Sequence, residues 1–276
     1  MRSPVTVVLL SLSLLLLNFA AYLLLVGPVR YERAQDVLYA QAREELAGIE
    51  MPFSGAIEPG RPVAVLSVPG LRITQVVVEG TAGAQLLDGP GHRRTSPLPG
   101  QAGVSVLMGR AVTFGAPFRD VTALRAGDEI VATTGQGRFT YRVDGVRRSG
   151  DPVPPSPGKG VGRLVLVTAE GGDVLGLPLR AERSVYVDAT LLDVPVPAGP
   201  RPSLVGKEED VLAHDSSGLV PLVLWLQVLL AAVVGVAWAA VRWGRWETWL
   251  VGFPVLLGAS WQVYEHVAVV VMPNLL

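Results

Sequence analysis

Asp128-Glu129-Ile130-Val131-Ala132-Thr133-Thr134-Gly135-Gln136-Gly137-Arg138-Phe139-Thr140-Tyr141-Arg142-Val143 decides the fold class. β-Branched and aromatic residues flank Thr134-Gly135-Gln136-Gly137, which reads as a hairpin turn between strands 128–134 and 138–148. Outward from this hairpin, segments 63–68, 72–78, 104–108, 163–168 and 184–191 have the same character. They are short, rich in Val, Leu and Ile, and bounded by Gly or Pro. Short helices fit 82–87 and 120–124. Many short strands at this spacing predict a mainly β domain over residues 61–193, either a barrel or a sandwich.

The rest of the chain is of a different kind. Half of its 276 residues are hydrophobic, the formal net charge is −1 and there is no cysteine. The apolar excess lies in runs 5–26, 219–241 and 248–272. A bilayer core of roughly 30 Å needs about 20 apolar residues as helix, so three transmembrane α-helices are expected beside the β domain. The organisation is then an N-terminal anchor (1–28), a juxtamembrane helix and loop (29–60), the β domain (61–193), a Pro-rich linker (194–218) and two C-terminal spans (219–276). Without cysteine there is no disulfide framework, no thiolate metal site and no thiol nucleophile. Near-neutral charge offers no field for nucleic acid. No metal or cofactor is expected.

The first run is long for a signal peptide and lacks a small-x-small cleavage site, which favours an uncleaved anchor. Arg30 and Arg33 oppose the orienting effect of Arg2. The short loop Arg242-Trp243-Gly244-Arg245-Trp246-Glu247 carries two Arg and belongs inside, which places the β domain outside. The expected location is the cell membrane, multi-pass, with the β domain extracytoplasmic. Glu265 and His266 lie in the third run. Glu265 comes roughly 26 Å along the helix axis from Thr248, so the first reading is an outer interfacial position. The second is a pairing with another helix or a partner. In 29–48, Tyr31, Ala34, Val37, Leu38, Ala42 and Leu46 form an apolar stripe at helical spacing. The linker, with Pro195, Pro197, Pro200 and Pro202, is expected to be extended and mobile, with His214 solvated.

Local motifs narrow the β domain. Val68-Pro69-Gly70-Leu71 is followed by Asp88-Gly89-Pro90-Gly91-His92 and Leu98-Pro99-Gly100-Gln101-Ala102-Gly103. Then come Phe114-Gly115-Ala116-Pro117-Phe118-Arg119-Asp120-Val121, Leu124-Arg125-Ala126-Gly127-Asp128-Glu129-Ile130 and Gly137-Arg138-Phe139-Thr140-Tyr141-Arg142-Val143. In this order they resemble the sortases, membrane-anchored transpeptidases of Gram-positive bacteria, and most closely the actinobacterial class E type. The resemblance covers roughly residues 62–192 and implies an eight-stranded sortase-like β-barrel with short helices.

The resemblance also implies three catalytic positions. Sortases attack the Thr–Gly bond of a sorting signal with a cysteine thiolate, assisted by a histidine and an arginine. Here Arg110 stands at the histidine and Ala169 at the cysteine, and only Arg183 matches. A methyl group cannot attack a carbonyl, and arginine stays protonated at physiological pH. Thr168 precedes Ala169 and, on a strand, faces the other way. A hydroxyl nucleophile needs an adjacent base, for which His92 and Glu170 are the nearby residues. No catalytic residue is therefore expected. Arg110, Arg183, Glu170 and His92 are ligand-binding candidates. Two guanidinium groups in one cleft suit a carboxylate, unless Glu170 neutralises Arg110 internally. The function read from this is a non-catalytic, membrane-anchored sortase-like module that binds a cell-surface protein or sorting-signal peptide. A transmembrane-helix partner is also implied. The alternative is an active transpeptidase or hydrolase using non-standard residues.

Overall fold

A computed structural model describes residues 4–172 and 181–276 of the chain. Eight strands close into one barrel: β1 (Pro62–Val68), β2 (Ile73–Glu79), β3 (Gly91–His92), β4 (Gly103–Met108), β5 (Glu129–Thr134), β6 (Gly137–Arg148), β7 (Gly162–Glu170) and β8 (Arg183–Leu191). Their order is β1-β2-β3-β4-β7-β8-β6-β5, and β5 pairs back onto β1. Seven strands fall where the pattern places them, and the hairpin closes with Thr134 opposite Gly137. β3 was not expected, because two residues carry no periodicity. The short helices are single 3₁₀ turns, Gln85–Leu87 and Val121–Ala123.

The barrel interior holds Leu66, Val77, Leu107, Ile130, Phe139, Tyr141, Leu164, Leu166 and Val187. Tyr141 brings its hydroxyl into this core and uses it to accept a hydrogen bond from the Gly100 N–H at 2.6 Å. Burying a tyrosine is favourable only with its polar tip satisfied in this way.

The first apolar run is helical, as α1 (Pro4–Ala21) and a π-helical turn (Tyr22–Val26), and leads directly into α2 (Gly27–Ala47). Pro28 is tolerated there at the first turn of α2. α2 lies across β1 and β2, with Leu38, Ala42 and Leu46 against Met51, Val65 and Val76. Val37 faces solvent, so the buried stripe is narrower than expected and takes in Glu45, which accepts from Gln41 and Arg61. The Gln35 amide accepts from the Val76 N–H at 2.7 Å and donates to the carbonyls of Val76 and Asp88.

α3 (Leu219–Arg242) and α4 (Arg245–Val271) form a helical hairpin. Among the described residues one helix is long and apolar enough to cross a membrane, Ser216–Arg242, not three. α4 contains Pro254 and, further on, Gln262, Glu265 and His266, which reduce its apolar character. Most side chains of residues 4–14 lie outside those described.

The linker is extended, yet it is docked along its length rather than mobile. Val196 bridges to Gln101, Arg201 pairs with Glu79 at 3.2 Å, and Glu209 pairs with Arg94 at 3.1 Å. His214 is exposed, as expected. Glu265 adopts the second of its two readings. It pairs with Arg30 of α2 at 2.9 Å, and Arg30 pairs with Asp88 of the barrel at 2.8 Å. Replacing Arg30 by Met leaves two neighbouring carboxylates without their shared cation. We expect a loss of about 1–3 kcal/mol, measured by denaturant unfolding, with most of it recovered when Glu265 is also made Gln.

Candidate active-site cleft

β4 and β7 run parallel, with Met108 opposite Val167. Continuing this register by two residues sets Arg110 beside Ala169. The Gly109 N–H donates to the Val167 carbonyl at 3.0 Å, and the Thr168 hydroxyl donates to the Gly109 carbonyl at 3.1 Å. On the other edge of β7, β8 pairs Arg183 with Glu170 and Ser184 with Ala169. The three positions implied by the resemblance therefore meet at one end of the sheet.

Alternation along β7 decides what faces the cleft. Leu164 and Leu166 belong to the barrel interior, whereas Val165, Val167 and Ala169 join Met108, Leu86 and Leu275 in an outer apolar cluster. Thr168 thus turns away from Ala169, as expected.

Arg110 has no exposed surface. A Cβ at Gly109, the residue before it, would lie 2.5 Å from the Phe118 ring, so glycine is required there. The guanidinium donates to Thr113 Oγ1 at 3.2 Å, the Leu276 carbonyl at 3.3 Å and the Gly83 carbonyl at 3.5 Å. It also sits over the Phe114 ring, 5.3 Å from the centroid. Its Nε has no partner among the described residues. Burial, and secondarily repulsion from Arg30, pull this group down to about 9. It remains a cation at pH 7 and has no proton-transfer role there.

Glu170 does not neutralise it. That carboxylate pairs with Arg148 at 2.7 Å, on the exposed side of the barrel. Arg183 is exposed, so the two arginines occupy different environments and do not converge on one pocket. His92 is not a simple loop residue. It is fully buried, with Nδ1 on Glu79 at 2.8 Å and Nε2 on the Pro97 carbonyl at 2.9 Å and Ser96 Oγ at 3.1 Å. No part of its ring is available to a ligand.

An open cleft of 260 Å³ adjoins Ala169, lined by Ala111, Val112, Arg119, Thr122, Glu170 and Leu276 among others. Between Val112 and Arg119 of its lining, the three residues of the loop Phe114-Gly115-Ala116 all have positive φ. The ring of Tyr31 from α2 presses on this loop so closely that a Cβ at Gly115 would lie 2.3 Å from it. Two contributors were missed from sequence: Thr113, and the segment after α4. For the second, Pro273 was the available signal, since it marks the end of a helix.

Residues 66–174 match the family model described as Sortase domain. Sortase SrtE1 of Streptomyces coelicolor is 30% identical over 152 residues, spanning 47% of this chain and 43% of that protein. Sortase D of Bacillus subtilis is 33% identical over 86 residues, spanning 31% of this chain and 42% of that protein. The chain therefore spans less than half the length of these two relatives. Among solved structures, sortase E from Streptomyces avermitilis is 27% identical, with a TM-score of 0.40, covering 50% of this chain and 91% of that one. A Clostridium perfringens Sortase D5 transpeptidase is 20% identical, with a TM-score of 0.47, covering 58% and 99%. The closed eight-stranded barrel is a sortase fold. The part of the chain that matches the family is this domain, over residues 66–174.

Two substitutions test the cleft's construction. Arg110→Met keeps volume while removing a buried charge, and Thr113 still satisfies the Leu276 carbonyl. It should unfold within about 1 kcal/mol of the wild type in denaturant, whereas Arg110→Ala, which leaves a cavity, loses about 3 kcal/mol. Gly115→Ala meets both the Tyr31 ring and a positive φ, and should lose about 2 kcal/mol or more by the same measurement.

Proposed function

We propose that this protein is a membrane-anchored, extracytoplasmic sortase-fold module that binds a peptide or protein at the cell surface without performing transpeptidation. The observation that carries this reading is the pairing of Arg110 with Ala169 where the resemblance places histidine and cysteine. Neither a methyl group nor a buried guanidinium that is protonated at pH 7 supplies the nucleophile or the base of acyl transfer. The chain has no cysteine with which to replace the missing one. Thr168, the hydroxyl adjacent in sequence, is committed to the Gly109 carbonyl. The helix Ser216–Arg242 supports anchoring, since large apolar side chains such as Val220, Leu224 and Leu230 are exposed along it.

The cleft retains what recognition requires: an apolar floor on β4 and β7, and polar groups in Arg119, Thr122 and Glu170 along its open part. Pockets of this kind combine apolar walls with a few polar groups that fix orientation. The partner class is an extended peptide, such as a sorting signal, or the surface protein that carries one.

The test is the full chain with labelled Leu-Pro-x-Thr-Gly peptides and their Leu-Ala variants in the presence of an amine acceptor. Binding without cleavage is expected. Cleavage that survives repurification and disappears in Arg183→Ala would overturn this reading in favour of an enzyme using other residues.

A further inference from the structure

The cleft beside Ala169 already contains a piece of this chain. α4 ends at Val271, and Met272-Pro273-Asn274-Leu275-Leu276 turns into the barrel, with the Leu276 N–H donating to the Pro273 carbonyl at 3.1 Å. Leu275 has no exposed surface and joins Leu86, Met108, Val165, Val167 and Ala169 in the outer apolar cluster. Its carbonyl accepts the Ala111 N–H at 3.0 Å, just beyond β4. The next carbonyl, that of Leu276, accepts from both Thr113 and Arg110. Asn274 holds the segment from the other side. Its backbone N–H donates to the Ala213 carbonyl at 3.0 Å, and its amide donates to the carbonyls of Glu208 and Asp210 at 2.7 and 2.9 Å.

These contacts define a receptor for a short peptide: a backbone donor, a cation and hydroxyl aimed at one carbonyl, and an apolar seat for one leucine. Arg110 is wholly buried, and its Nε remains unpartnered even with the segment in place. Without residues 272–276, its acceptors among the described residues reduce to Thr113 and the Gly83 carbonyl. Such a group needs an acceptor-bearing occupant in the cleft.

We propose that this cleft is a peptide site occupied in cis by residues 272–276, and that an external apolar peptide with a proline two residues before a leucine must displace them to bind. This rests on the binding-module reading and adds its regulation: the protein's own segment sets the threshold for a partner.

The absence of native cysteine makes the test clean. Ala169→Cys introduces one thiol beneath the segment, in the full chain purified in detergent. N-ethylmaleimide should modify this thiol slowly. Adding Leu275→Asp, which expels the segment, should raise the rate about tenfold or more. The peptide acetyl-Met-Pro-Asn-Leu-Leu, supplied in trans at roughly millimolar concentration, should lower it again, which a misfolded barrel cannot reproduce. If circular dichroism shows that Leu275→Asp does not fold, Asn274→Ala takes its place with the same expectations. An unchanged rate would overturn the shielding, and a raised rate indifferent to the peptide would overturn exchange. Either outcome leaves the non-catalytic reading standing, whereas cleavage of sorting signals removes that reading and leaves thiol shielding to be judged separately.

Discussion

Among the described residues no carboxylate side chain pairs with the buried Arg110, so its guanidinium is held by backbone oxygens and a hydroxyl, and meeting that need organises the end of the barrel. Desolvating the cation costs several kcal/mol, and each hydrogen bond to a charged group returns about 1.5–3 kcal/mol. Its acceptors come from three separated stretches: Gly83 after β2, Thr113 after β4 and Leu276 after α4. The Phe114 ring adds a face for the charge. One side chain thereby ties a loop, a strand end and the segment after α4 together.

The helices reach the barrel through contacts of the same economy. α2 is joined by the Gln35 amide, which pairs with Val76 as a neighbouring strand would, and by Tyr31 against Gly115. Arg30 then links α2 to Asp88 and Glu265, so barrel, α2 and α4 share one cation. The positive φ values at Phe114, Gly115 and Ala116 are tolerable because Tyr31 packs on Gly115 and Tyr22 packs edge-on against Phe114. The position of that loop is therefore set partly by a helix that leads back into the apolar N-terminal run.

Much of this was legible in the sequence, for physical reasons that differ by element. Strands of six or more residues announce themselves through β-branched runs and turn residues, so β1, β2 and β4 through β8 were located closely. The β4–β7 neighbourhood was not legible from pattern, because a parallel pair has no connecting hairpin to reveal it; the order of motifs supplied it. The resemblance implied that Arg110 and Arg183 approach one another in one cleft, whereas Arg110 is buried and Arg183 is exposed. What the side chains do there was not legible. Glu170 reads as Arg110's neutraliser by proximity in sequence, but cross-strand geometry gives it to Arg148. Arg110's acceptor Leu276 lies 166 residues away, and Glu265's partner Arg30 lies 235 away, distances over which local pattern carries no information. His92 likewise owes its burial to Glu79 on a neighbouring strand.

The position of residues 272–276 in the chain has a consequence for biogenesis. A ribosome delivers them after every strand of the barrel, and domains generally fold as units while synthesis continues. The barrel must therefore close around a vacant groove, with Arg110 hydrated, and remain so while α3 and α4 emerge. Only the arrival of residues 272–276 covers the groove. The nascent protein thus passes through an interval in which the site is open to whatever peptide is at hand, and a partner captured then faces no competitor from within the molecule.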